Sequence, residues 1–279
     1  MQQHLLVGDD DEHGVLHDLG GDGSPLLLTH GNGLNVGMWA TAIPALRQHF
    51  HVYGIDFRGH GASRPDAEDF SVARSNFMNE VLLAAAKLSD DPIVAAGHSL
   101  GGATLVSTEL RNPGTFSKLW VFEPVMVPPE WPRPDGEHPL VVASRKRRMH
   151  FDSVEAAYER FVSKPPYSDC EPAAVRAYVE RGTYAEDGGV RLSCSGDTEA
   201  RVFSSGEPTD FAELAAITCP TVVAFGEAMA SGNELPPQVA PLIADALGAG
   251  EIRGFEGLTH FGPMEDGDQI ARAIIEHLT

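Results

Sequence analysis

Cysteine is scarce in this chain: Cys170, Cys194 and Cys219 are the three in 279 residues, and none forms a CxxC pair. An odd, widely spaced set frames no disulfide scaffold and reads as free thiols in a reducing, cytoplasmic setting. Long apolar runs are lacking too, and no window approaches the roughly 18 apolar residues of a membrane-spanning helix. The opening Met1-Gln2-Gln3-His4 has no basic region leading into an apolar stretch, so no signal peptide is expected. Positive charge is short: 20 Lys and Arg stand against 40 Asp and Glu, for a net charge of −20. Such a surface repels phosphate backbones and anionic membranes, so neither nucleic acid nor membrane is expected as a partner. The one basic run, Arg145-Lys146-Arg147-Arg148, reads as a solvated helix face. His13 and His17 lie four apart without further ligands, so no metal site is expected. There are no internal repeats, and composition sets no oligomeric state.

What is present is a chain 42% hydrophobic, long enough for a large core with an added cap. His4–Val7 and Val15–Leu19 flank the acidic turn Asp9 to Glu12 and read as an opening hairpin. Leu26-Leu27-Leu28-Thr29, Val52 to Asp56, Pro92 to Ala96, Leu119 to Phe122, Thr221 to Phe225 and Glu251 to Phe255 read as buried strands. Helices are expected over about 36–48, 72–88 with Ser71 as N-cap, the segment after Ser99, 236–247 and 269–278. Strands alternating with helices predict an α/β fold: a mostly parallel, eight-stranded sheet covered on both faces, with functional groups at the strands' carboxyl ends. Prolines crowd residues 124–139 and mark a crossover out of the sheet pattern. From about 140 to 182 the periodicity is helical, with Asp152 and Glu155 as a capping pair and Pro172 in a first turn. The expected division is a core of 1–126 and 214–279 with an inserted, mostly helical lid over 127–213.

The chemistry centres on Gly97-His98-Ser99-Leu100-Gly101. A Gly-x-Ser-x-Gly turn between an apolar strand and a helix puts its serine at a sharp, strained bend, with the next backbone N–H aimed at the same space. Ser99 is thus the candidate nucleophile and the Leu100 N–H one half of an oxyanion hole. A serine needs a base. Of 12 histidines, His260 in Gly257-Leu258-Thr259-His260-Phe261-Gly262-Pro263 follows the last strand at the correct edge of the sheet. His30, His60 and His98 lie in the neighbouring turns and read as loop organisers.

With His30-Gly31-Asn32-Gly33, Asp56-Phe57-Arg58-Gly59-His60-Gly61-Ala62-Ser63, Gly97-His98-Ser99-Leu100-Gly101-Gly102 and Gly257-Leu258-Thr259-His260-Phe261, the chain resembles the α/β-hydrolase family along nearly its full length. The resemblance implies the Asn32 N–H as the second oxyanion donor. It also implies an acid after one of two strands. Many members carry an Asp shortly after the next-to-last strand, where this chain has Met229. The other position follows the strand after the nucleophile helix, and here it holds Glu123, in a segment similar to that of some haloalkane dehalogenases and of a group of serine hydrolases with a Glu-Pro sequence. Glu123 is the expected acid, Glu227 the alternative, and a bare Ser99–His260 dyad the third possibility.

The expected activity is that of a serine esterase or lactonase acting through an acyl-enzyme on a hydrophobic ester, thioester or lactone, with no metal or organic cofactor. Leu34, Met38, Trp39, Met126, Trp131, Met229 and Phe261 are candidate pocket walls, and no basic cluster near the motifs offers a clamp for a charged acyl group. A carbon–carbon bond hydrolase, a cofactor-free perhydrolase and a non-catalytic ligand-binding protein remain as alternatives.

Overall fold

In the computed structural model the described residues are 3–7, 13–64, 70–131, 136–228 and 235–279. The expected opening hairpin is β1 (Gln3–Val7) against β2 (His13–Gly20); the acidic turn at 9–12 falls outside the described residues. β3 (Ser24–Thr29), β4 (Phe50–Asp56), β5 (Ile93–His98) and β6 (Phe116–Phe122) follow. After them come β7 (His150–Phe151), β8 (Thr183–Glu186), β9 (Gly189–Leu192), β10 (Thr221–Gly226) and β11 (Gly250–Phe255). Eight of these form one sheet in the order β1-β2-β4-β3-β5-β6-β10-β11, with β1–β2 and β2–β4 antiparallel and the remaining pairs parallel.

Side chains alternate across this sheet. Leu26, Leu28, Trp120 and Phe122 pack on one face with Ile270 and Ile274, while Leu27, Ala95, Leu119 and Val121 pack on the other with Leu105 and Ile243. Both faces are covered, which is why the strands read as continuous apolar runs instead of alternating ones. Register then lines up the functional ends: Thr29 pairs with Gly97, His98 with Phe122 and Phe122 with Ala224. The residues just beyond each strand therefore meet at one edge.

The helices are α1 (Ile43–Leu46), α2 (Arg74–Leu88), α3 (Leu100–Arg111), α4 (Pro139–Arg145), α5 (Val154–Val162), α6 (Pro172–Arg181), α7 (Gly196–Ser204), α8 (Leu235–Ala246), α9 (Gly262–Glu265) and α10 (Gly267–Leu278). Three differ from expectation. The single helix over 36–48 is instead a 3₁₀ turn, Val36–Trp39, followed by α1, because Pro44 supplies no N–H for a continuous ladder and sits in a first turn. α2 starts two residues past the predicted Ser71 cap, at an Ala73 that makes no side-chain cap bond, while Ser71 Oγ accepts the Ala73 N–H at 3.3 Å. Ser153, not Asp152, caps α5 by accepting the Ala156 N–H.

The described residues of 127–213 lie outside the main sheet and hold α4–α7, and beside these helices β7, β9 and β8 form a small antiparallel sheet that the periodicity does not announce. Its hairpin turns at Asp187-Gly188, with Gly188 at φ +76°, the left-handed conformation that Asp-Gly turns favour. Cys170 and Cys194 are buried and Cys219 half-buried, all as free thiols. Among the described residues no helix is long and apolar enough to cross a membrane.

Candidate active site

β5 delivers the chain into the tight turn at Ser99, and α3 leaves it. Ser99 adopts φ 52°, ψ −115°, a conformation that L side chains seldom take, and its N–H donates to Phe122 O at 2.9 Å. The approach requires glycine on both sides. A Cβ on Gly97 would lie 2.4 Å from Thr29 Oγ1, and one on Gly101 would lie 2.7 Å from His30 O. The Leu100 N–H opens α3, where a helix leaves its first donors free and its dipole favours negative charge.

Glu123 follows β6 and, among the described residues, is the other non-glycine residue at positive φ, 44°. Its N–H donates to Ala224 O at 2.8 Å, which fixes the bend against β10. The carboxylate is fully buried and takes two bonds: Oε1 from the Gly226 N–H at 2.9 Å, and Oε2 from His260 Nδ1 at 2.6 Å. With its proton on Nδ1, the imidazole presents Nε2 as an acceptor. Glu227 is exposed, and its N–H donates to Phe255 O. Of the two carboxylates weighed from sequence, Glu123 holds the histidine.

The loop carrying His260 is pinned on both sides. His98 Nε2 donates to His260 O at 2.8 Å, and Glu265 accepts the Thr259 N–H at 2.7 Å and its hydroxyl at 2.5 Å. Burial raises the Glu265 pKa, and the Thr259 bonds offset part of that rise. In the sequence Glu265 gives no signal beyond that of a carboxylate five residues after His260.

His30, His60 and His98 organise loops as expected. His30 Nδ1 donates to Gly31 O while Nε2 accepts the Phe57 N–H, and His60 Nδ1 donates to Arg58 O while Nε2 accepts the Gly33 N–H. The His30 and His60 rings each use one nitrogen as donor and the other as acceptor, so both are neutral. Burial, then the neighbouring His60, lowers the His30 pKa from 6.5 to about 3. Burial lowers His60 as well, and burial together with His260 takes His98 well below its ordinary value.

Asn32 is half-buried on the loop after β3, and its Nδ2 donates to Glu199 O at 3.0 Å. Beside it stands Arg147, from the run read as solvated. Its side chain is only 15% exposed, and the guanidinium pairs with Glu199 Oε2 at 2.7 Å and bonds the Tyr178 hydroxyl. The run as a whole is therefore not a solvated helix face: residues remote in sequence supply the partners that let this one arginine be largely buried. Tyr178 stacks on Tyr167, whose ring meets Phe261 at 5.5 Å, next to His260.

The candidate walls divide. Met38, Trp39 and Met126 are fully covered, Trp39 Nε1 donating to Thr29 O, and they are core packing rather than walls. Trp131 and Phe261 are half-buried, and Met229 lies outside the described residues. Leu34 borders a cavity of about 10 Å³ with Gly33, Arg147, Tyr178 and Cys194, space for roughly one water. A polar cavity of about 300 Å³ lies apart from Ser99 and His260, between His17, Asp56, Arg64, Arg181 and Tyr184.

The chain is similar to known proteins. Residues 26–273 match the profile described as the alpha/beta hydrolase family. The (E)-2-((N-methylformamido)methylene)succinate hydrolase of Acinetobacter baylyi is 25% identical over 209 residues, 74% of this chain and 73% of that protein. The pimeloyl-[acyl-carrier protein] methyl ester esterase of Nitrosospira multiformis is 32% identical over 100 residues, a stretch covering 36% of this chain and 38% of that protein. The crystal structure of E-2-(acetamidomethylene)succinate hydrolase superposes with a TM-score of 0.79 at 17% identity, covering 99% of this chain and 98% of that one, a likeness of fold.

Proposed function

Because the chain belongs to the alpha/beta hydrolase family, we propose that it is a serine hydrolase cleaving a carboxylic ester, thioester or lactone of a hydrophobic small molecule through an acyl-enzyme on Ser99. The observation that carries this reading is the 2.6 Å bond from His260 Nδ1 to the buried Glu123 carboxylate, at the same sheet edge as the strained Ser99. Glu123 sets the tautomer, so His260 Nε2 takes the Ser99 proton as Oγ attacks the carbonyl carbon. The negative charge moves to the carbonyl oxygen, where the Asn32 and Leu100 N–H groups receive it. Losing one such donor costs about 10²–10³ in rate. The imidazolium, stabilised by Glu123, returns its proton to the leaving alkoxide or thiolate. Water then repeats the sequence on the acyl-enzyme and frees the acid. Besides substrate and water, the groups this cycle uses are side chains and backbone amides of this chain. Residues 127–213 act as the cap over the site, and the three free thiols fit a reducing, cytoplasmic compartment.

A p-nitrophenyl ester series from acetate to palmitate, with wild type and Ser99→Ala, tests this. Turnover by wild type, a loss of at least ~10⁴-fold in Ser99→Ala and a serine acyl adduct by mass spectrometry are expected. Wild type inert to every ester and unlabelled by a fluorophosphonate would contradict the acyl-enzyme. The A. baylyi relative, by its name a hydrolase of a substituted succinate, favours a second reading in which the substrate bears an acid. Monoesters of succinate run beside the neutral series separate the two.

A further inference from the structure

The loop after β3 is held in a way that its own sequence does not explain. Asn32 Nδ2 donates to Glu199 O at 3.0 Å, and the Tyr178 hydroxyl donates to Gly33 O at 3.2 Å. The Arg147 guanidinium joins these two anchors, bonding Glu199 Oε2 with one nitrogen at 2.7 Å and the Tyr178 oxygen with another. The three anchors come from different parts of the 127–213 insertion: just past α4, from α6 and from α7. Gly33, at φ +75°, admits them, since a Cβ there would lie 2.5 Å from Glu199 Oε1 and 3.3 Å from Arg147 Nη1. From the core side the loop has the His60 Nε2 bond to the Gly33 N–H at 3.1 Å. An ion pair with side chains 15% and 16% exposed holds its geometry better than a surface pair, because separating it strands a poorly hydrated charge.

We propose that the Arg147–Glu199 pair, with Tyr178, is a positioning device that fixes the Asn32 N–H in its donating orientation, so that the oxyanion hole is complete only while the insertion is docked. The inference rests on the oxyanion role proposed for Asn32. None of the three residues touches the reacting atoms; they act through the loop. The cap then contributes to the rate of the chemical step as well as to enclosing the substrate. Displacing a preorganised donor by a fraction of an ångström weakens its interaction with the transition state more than with the ground state, so the loss falls on kcat.

The test is kcat and KM on a neutral p-nitrophenyl ester, together with amide hydrogen exchange over residues 31–35. It compares wild type with Arg147→Met, Arg147→Lys, Glu199→Gln and Tyr178→Phe, each checked for an intact thermal transition. Arg176→Met, which removes the exposed Arg176–Glu155 pair of the same insertion, is the control. Arg147→Met and Glu199→Gln should lower kcat by about 10–100-fold with KM within about threefold, and should speed exchange at 31–35. Arg147→Lys should recover part of both effects, and the control should change neither. Folded Arg147→Met and Glu199→Gln variants with wild-type kcat and exchange would overturn the proposal. So would a loss confined to KM and to acid-bearing esters, which would make Arg147 a substrate ligand. Should wild type prove inert to esters, faster exchange in the variants keeps the clamp while discarding the ester reading, and unchanged exchange discards both.

Discussion

The sheet edge and the insertion that meets it reach precision by opposite means. At the edge, Ser99 and Glu123 each directly follow a strand, and His260 lies on the loop after the last one, so backbone register does most of the positioning. The Phe122–Ala224 pairing and the Ser99 N–H bond to Phe122 O set the spacing before any side chain is chosen. In the insertion, Arg147, Tyr178 and Glu199 come from three separate segments and find one another only through their side chains. Register tolerates surface variation but not a change of backbone volume. A side-chain cluster tolerates movement of its helices only while every partner is retained.

The sharpest break in this comparison is Gly97→Ala. Its Cβ would meet Thr29 Oγ1 at 2.4 Å and the Gly102 N at 2.8 Å, inside the most constrained part of the edge. A loss of about 3 kcal/mol, typical of strong overpacking, is expected in urea titration, with Ser99 no longer labelled by a fluorophosphonate.

Acid should separate the regions next. His30 stays neutral in the fold with its pKa lowered to about 3, whereas the unfolded chain takes up that proton near 6.5. The contribution is therefore complete above pH 6.5 and lost as the pH falls toward 3, at up to about 1.4 kcal/mol per unit. Between pH 6.5 and 5 the loss from His30 alone is ~2 kcal/mol, in the same direction as His60 and His98. Urea midpoints at the two pH values measure it, and His30→Asn should flatten the slope.

The smallest effect belongs to the insertion's own hairpin. Gly188→Ala forces a side chain into φ +76° with open space around it. It should cost about 1 kcal/mol and leave kcat at the wild-type value.

The same contrast explains what the sequence could disclose. The strands, the Ser99 turn and the placing of His260 and Glu123 at one sheet edge were legible because each signal is local: an apolar run followed by a polar residue just beyond it. The Val36–Gln48 helix failed for want of weight on Pro44, and the Thr183–Leu192 hairpin was missed although Asp187-Gly188 announces it. Arg147 was unreadable in principle, since its burial depends on Glu199, 52 residues away, and on Tyr178, 31 away. Met38 and Trp39 looked like pocket walls by adjacency to the motif, but a 3₁₀ turn points both into the core.

The most direct test of the central claim is kcat/KM on one p-nitrophenyl ester for wild type, Glu123→Gln and Glu227→Gln. If Glu123 orients His260, Glu123→Gln falls by about 10²–10⁴-fold with its thermal transition intact, and Glu227→Gln stays within about twofold of wild type. Near-wild-type activity in Glu123→Gln, or a collapse in Glu227→Gln instead, would contradict the account.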